Sequence, residues 1–248
     1  MAVKTLIPTK KFTKVDNTDN RANLNGDVIL DFGLDFDFDT TIYPESDGKP
    51  MADNTKQFRL ITMIKEGLES QYIDDPDVFI AGDLLWYAIK GDNGNRKAPD
   101  AMVVFGRPKG DRGSYKQWLE DNIPPQVVFE IISPSNSKKE MKEKLDFYEL
   151  NGVNECYYYD SYSGELKGWL LKTWQFVPIK RMQGWISPQL GIRFEMEGKD
   201  LVLYHPSGER FKTLYEMREE RDKERERADR AEAKMKLYEE KLKTLGLL

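Results

Sequence analysis

The sequence predicts a domain of mixed α/β class (α+β, mixed sheet) followed by a long charged helix. Three observations carry this. Short apolar runs at 78–81, 84–89, 101–105 and 127–132 lie between segments of helical period. Turn signals such as Gly91-Asp92-Asn93-Gly94 and Pro124-Pro125 separate those runs. From residue 216 to 243 the composition changes to ten basic and ten acidic residues in 28, a net charge of zero. The expected organisation is an N-terminal extension over 1–40, a folded domain over 41–212, and a charged helix of coiled-coil type over 213–248.

Each element has its own signal. In the extension, Phe32, Leu34, Phe36 and Phe38 alternate with acids and a glycine, the period of a strand with one acidic face. A helix begins after Asn54, which can cap, with Gln57 three residues on as in a capping box. Phe58, Ile61, Leu68 and Tyr72 follow at helical spacing, and Asp74-Asp75-Pro76 stops it. A second helix starts at Ser137, with Glu140 three residues later, carries Met141, Leu145 and Tyr148 as its apolar stripe, and ends at Asn151-Gly152. Further strands are expected at 155–159, 168–171, 175–179, 192–196 and 201–204. In the tail, Leu214, Met217, Arg221, Glu224, Ala228, Ala231, Met235, Tyr238, Leu242 and Leu245 recur at alternating three and four. That is a coiled-coil seam, weakened by two charged residues and two alanines.

Composition narrows the chemistry. The chain has 248 residues, 39% of them hydrophobic, enough to bury a sizeable core. Its longest apolar run is six residues, against about twenty for a membrane span. The N-terminus lacks the apolar stretch of a secretory signal. One cysteine, Cys156, excludes an intrachain disulfide and fits a reducing cytoplasm. One histidine, His205, argues against histidine triads and multi-histidine zinc sites. Catalysis must therefore rest on carboxylates, lysines or hydroxyls. The net charge of −5 is not the usual footprint of a nucleic-acid binder, although a global sum hides local patches.

Three residues break their local pattern. Glu130 interrupts the run 127–132, and such runs mark strands buried on both faces, so a glutamate there must be paired, protonated or on a metal. Asp100 stands at the mouth of the strand 101–105, directly after Pro99. Lys144 lies on the apolar stripe of the second helix, which follows the Glu130 strand after a short loop and can pack back upon it. Two carboxylates on neighbouring strands can hold Mg²⁺ (or Mn²⁺), and a nearby lysine can offset charge on a phosphoryl transition state. The bland readings are an internal ion pair for Glu130, a turn aspartate for Asp100 and an edge lysine for Lys144.

The words Ala98-Pro99-Asp100-Ala101-Met102-Val103-Val104, Val127-Val128-Phe129-Glu130-Ile131-Ile132-Ser133-Pro134-Ser135, Lys144-Leu145-Asp146-Phe147-Tyr148 and Gly152-Val153-Asn154-Glu155-Cys156-Tyr157-Tyr158-Tyr159-Asp160, with Asp47-Gly48 ahead of them, stand in order at consistent spacing. Over residues 41–212 this resembles the PD-(D/E)XK nuclease core, and within it the bacterial family named "putative restriction endonuclease". The resemblance implies a restriction-endonuclease-like fold and Mg²⁺-dependent hydrolysis of DNA phosphodiester bonds. It implies Asp100 and Glu130 as metal ligands and Asp100, Glu130 and Lys144 as the catalytic set. In the superfamily pattern the lysine comes two residues after the glutamate, where this chain has Ile132. Members resembling this chain move the lysine to the following helix, which selects Lys144 over Lys138, Lys139 and Lys142.

The loop 106–116 offers Arg107, Lys109, Arg112 and Lys116 as candidate phosphate contacts, without the ending of a P-loop. Asp83 is a candidate for lining the same cleft, and Glu45, ahead of the first helix, for the extra acid that some sites of the resembled superfamily have. The rival expectations are a catalytically inactive binding protein of nuclease fold that recruits a partner through its coiled coil, and an assembly protein driven by the tail. DNA, a second copy of the chain or another coiled-coil partner are the expected partners, with no membrane.

Overall fold

The computed structural model describes residues 41–48, 50 and 52–245. The alternating Phe and Asp segment of the extension lies outside the described residues. Asn54 caps α1 (Thr55–Gln71), accepting from the Gln57 N–H at 2.9 Å. The reciprocal bond is displaced by one residue, because Gln57 Oε1 accepts from the Asp53 N–H at 2.8 Å. Ser137 caps α2 (Lys138–Leu150), and Gly152 beyond its end adopts φ +85°. That left-handed conformation is the one a helix C-terminal turn requires of its glycine.

The central sheet runs β1–β4–β6–β7–β8–β9, in which β1 is Val78–Ala81, β4 Ala101–Phe105, β6 Val127–Ile132, β7 Glu155–Asp160, β8 Glu165–Lys172 and β9 Gln175–Pro178. All neighbours are antiparallel except β6 and β7. A parallel pair needs a crossover, and α2 supplies it. Two three-stranded sheets flank this one. One is β3–β2–β5, from Arg96–Lys97, Trp86–Tyr87 and Tyr115–Lys116, and the other is β10–β11–β12, from Trp185–Ile186, Arg193–Glu197 and Asp200–Tyr204.

Side chains alternate across β6 as the strand period requires. Val127, Phe129 and Ile131 face α1 and Phe194 of the β10–β12 sheet. Val128 and Ile132 face Met141 and Tyr148 of α2, with Trp86 and Tyr115 of the β2–β5 sheet. The sheet is therefore sandwiched between two apolar layers, and Glu130 belongs to the α2 side.

The expected strand at 84–89 pairs only at Trp86 and Tyr87. An apolar run signals burial, and here burial is achieved by packing rather than by a longer ladder. The strand expected at 168–171 extends over Glu165–Lys172, because its polar half pairs fully with β7. β3, β5 and β10 are two residues each, too short to show a period. The C-terminal α3 (Leu214–Thr244) is one helix opened by a capping box between Thr213 and Glu216, and none of its residues is buried. No helix among the described residues is long and apolar enough to cross a membrane.

Gly67 marks where α1 meets the end of the folded domain. A Cβ there would lie 2.3 Å from the ring of Phe211, itself buried. We expect Gly67→Ala to lower stability by about 1–3 kcal/mol through overpacking, read as a lower urea midpoint in equilibrium unfolding. An unchanged midpoint would show that Phe211 yields freely.

Candidate active site

Asp100 sits at the start of β4, beside β6. Its Oδ2 accepts from the Ile131 N–H at 2.6 Å, which fixes the carboxyl against the sheet. Its other oxygen has no hydrogen-bond partner among the described residues. Glu130, in the middle of β6, is only 2% exposed. Both its oxygens are held by α2. Lys144 Nζ donates to Oε2 at 2.6 Å, and the Tyr148 hydroxyl donates to Oε1. Lys144 and Tyr148 are four residues apart, so one face of one helix grips the carboxylate from both sides. Lys144 Nζ also reaches the Ala98 carbonyl at 3.3 Å, beside Asp100.

The packing of α2 sets this grip. Tyr148 stacks on Trp86 with centroids 6.2 Å apart and planes within 2°. Phe147 meets the same indole edge-on at 5.0 Å. Tyr158 of β7 donates to the Met141 carbonyl at 3.0 Å. A shift of α2 along the sheet would break all three.

Asp100 and Lys144 open into a cleft of about 590 Å³, with Glu130 buried behind Lys144 and not on the cleft wall. Asp47, Asp83, Arg96, Lys97 and Glu140 line it together with Asp100 and Lys144. Asp83 stands in the left-handed region at φ +48°, its N–H bonded to the Pro99 carbonyl at 3.1 Å. That links the turn after β1 to the mouth of β4. On the α2 side, Ser133 and Ser135 both donate to Asp53, and Gln57 Nε2 donates to the Ile131 carbonyl at 2.7 Å. Gln57 therefore ties α1 to the residue that holds Asp100.

Burial and mutual repulsion dominate the electrostatics. Burial first, then Glu130, pushes the Asp100 carboxyl up to about 8, against the pull of Lys144 and of the Ile131 N–H. Burial also raises Glu130, with Lys144 and Tyr148 acting the other way. Burial works to lower the Lys144 ammonium, but Glu130 and Asp100 outweigh it and raise it. Asp83 is raised by burial and by Asp47. The cleft wall carries five acids, Asp47, Asp53, Asp83, Asp100 and Glu140, against three cations, Arg96, Lys97 and Lys144, and such an excess of acid favours a further cation. Among the described residues no group of three or more His, Cys, Asp or Glu is disposed to hold a metal ion. Mg²⁺ commonly takes one or two protein carboxylates, filling its shell with waters and substrate phosphates. Asp100 presents one such oxygen, whereas both Glu130 oxygens are held by Lys144 and Tyr148, so Glu130 would fit an ion only by exchanging one of them for it.

Residues 37–201, about two thirds of the chain, match the Uma2 family, described as "Putative restriction endonuclease". This chain belongs to that family. Among solved structures, it is similar to a protein from Anabaena variabilis ATCC 29413 described as a putative nuclease belonging to DUF820. The identity is 13%, the TM-score 0.42, and the match covers 58% of this chain and 79% of the other. No curated protein matches the chain significantly.

In this Uma2 chain the structure brings Asp100, Glu130 and Lys144 together and leaves the other candidate lysines outside. Lys142 pairs with Asp146 and Lys139 with Glu143 on the exposed face of α2. The basic loop 106–116 is largely committed internally. Arg107 and Arg112 share Glu120, Arg112 also stacks over Phe79 at 3.9 Å, and Lys109 donates to the Tyr72 and Ile73 carbonyls. Lys116 lies over the Tyr43 ring at 5.5 Å. None of these four lines the cleft. Arg96 and Lys97 do, and sequence reasoning missed them because a two-residue strand carries no period. In the sequence Tyr148 stands out only as a stripe residue, and Gln57 only as the partner of the Asn54 cap. The one available signal for Tyr148 is its position four after Lys144. Glu45 lies against Gly113 and not on the cleft wall, whereas Asp83 is on it.

The raised Asp100 carboxyl carries a sign. Between the ordinary aspartate value near 3.8 and about 8, the folded chain binds a proton that the unfolded chain releases. Asp100 therefore stabilises least above pH 8, and stability falls as pH rises through that window. Asparagine keeps the oxygen that accepts from Ile131. Without added metal, we expect Asp100→Asn to raise the Tm relative to wild type by several degrees at pH 9, on the order set by ~1–2 kcal/mol, and little at pH 5. A difference that is flat with pH would refute the buried-acid assignment.

Proposed function

We propose that this chain is a metal-dependent endonuclease that hydrolyses DNA phosphodiester bonds at the cleft beside Asp100, Glu130 and Lys144. The observation that carries this reading is the Lys144–Glu130 contact at 2.6 Å beside a buried Asp100, at the wall of an open cleft. Asp100 would hold Mg²⁺ or Mn²⁺, and Glu130 would join it by exchanging Lys144 or Tyr148 for the ion. The ion supplies a Lewis acid for the phosphate and makes water a better nucleophile near neutral pH.

The chain's own groups have separate tasks. Lys144 is held as an ammonium by two acids, so it serves as a donor that offsets charge at the attacked phosphate and not as a base. Tyr148 keeps Glu130 in one orientation. Arg96 and Lys97 stand where a phosphate backbone would pass the cleft. Tyr87 pairs in register with Arg96 on one side and Lys116 on the other. The small sheet thus carries a cation on each flank of that tyrosine. Such contacts fix the duplex without reading its sequence.

The test is cleavage of supercoiled plasmid with Mg²⁺ or Mn²⁺. We expect Asp100→Ala, Glu130→Ala and Lys144→Ala each to lose about 10²-fold or more in rate, with folding checked by circular dichroism. Undiminished cleavage in Asp100→Ala and Glu130→Ala would sink the assignment. Absence of nicking with folded wild type and either metal would favour the non-catalytic binding protein instead. Arg96→Ala with Lys97→Ala is expected to weaken DNA binding and to flatten its dependence on salt.

A further inference from the structure

We infer that the C-terminal half of α3, residues 228–245, joins a second copy of this chain as a parallel, in-register two-stranded coiled coil. This goes beyond the nuclease reading and does not rest on it. The helix is 31 residues long, about 46 Å at the usual rise. Its seam divides into two parts. Met217, Arg221 and Glu224, from the first part, line a groove shared with Glu66 and Glu69 of α1 and with Ile73 just beyond it. That half of the seam turns towards its own domain, which accounts for the charged residues in it. The second part, Ala228, Ala231, Met235, Tyr238, Leu242 and Leu245, keeps strict spacing and carries no charge. Met235 is 63% exposed and Tyr238 62%.

Charge selects the occupant and its direction. With Ala228, Met235 and Leu242 at position a, the g positions hold Arg227, Lys234 and Lys241, and the e positions hold Glu232 and Glu239. In a parallel pair, each g residue meets the e residue five positions later on the other strand. Arg227 then meets the second copy's Glu232, and Lys234 meets its Glu239. Both contacts are attractive, and symmetry makes each twice. An antiparallel pair over the same seam sets Glu232 against Glu239 and Lys234 against Lys241, which are like charges. The helix leaves these groups available. Its own ion pairs end at the Arg230–Glu226 contact, and Glu232, Lys234 and Glu239 have no ion-pair partner among the described residues. A parallel arrangement sets both folded domains at the same end of the coil.

The experiment uses the full chain. Sedimentation equilibrium from about 10 to 500 µM is expected to show reversible association of the 28.9 kDa chain to twice that mass. Leu242→Cys tests direction, because Cys156, the one native thiol, is buried. Under mild oxidation Leu242→Cys alone should give a covalent dimer. An antiparallel pair would instead cross-link only when Ala231→Cys and Leu242→Cys are mixed, and that result overturns the proposal. The double variant Glu232→Lys with Glu239→Lys should be monomeric alone. It should pair again when mixed with Arg227→Glu plus Lys234→Glu. A monomer at every concentration, or a dimer indifferent to the charge swap, also overturns it.

Discussion

A single carboxylate in the middle of a sheet dictates much of this architecture. Glu130 lies inside the apolar layer between β6 and α2, where an unpaired charge is not tolerated. Lys144 and Tyr148 answer it, and both come from one helix. Removing one partner of a buried ion pair costs about 3–5 kcal/mol, more than replacing the pair with apolar groups of equal volume. Only replacing Glu130 and Lys144 together by apolar residues would avoid that cost. An ion pair in such a place gives little stability for its cost, and what it does give is a lysine fixed beside a second acid at a cleft.

The rest of the fold can be read as support for that grip. Trp86 and Phe147 set the azimuth of α2 through ring contacts, and the Tyr158 hydroxyl fixes it along the sheet. Glu155 shows the contrasting case. It is equally buried, but its partners are the Tyr157 and Ser187 hydroxyls and the Gln189 N–H. Neutral donors anchor that carboxylate, and they tie β7 to the turn before β11. The sheet therefore carries one acid whose partners are neutral and structural, and another whose partner is a cation at a cleft wall.

Much of the sheet was legible because burial and period coincide. The runs 78–81, 101–105 and 127–132 contain only residues that fit a pleated interior, apart from Glu130, so their limits agree with the strands. The caps of α1 and α2 were legible because Asn54 and Ser137 do what short polar side chains do before a helix. The proximity of Lys144 to Glu130 followed from stripe position and a short connection. What escaped was set by tertiary pairing alone. Arg96 and Lys97 enter the cleft wall through a two-residue ladder, and the Gln57 contact to Ile131 spans 74 positions in sequence. The basic loop shows the opposite error. Four cations in eleven residues suggest an open anion site, yet Glu120 pairs with two of them and Asp121 with one, so Arg107 and Arg112 are compensated locally.

The separations between these partners also bear on how the chain reaches its folded state. Glu130 meets Lys144 across 14 positions and Tyr148 across 18. Closing such short loops costs little chain entropy, and closing the loop to Asp100, 31 positions from Ile131, costs only slightly more. The β6–α2–β7 unit can thus bring its acid and its lysine together while the β10–β12 sheet is still unpaired. In topological terms this cluster of acid and lysine is a nearly local object, within a fold whose other contacts reach much further along the chain.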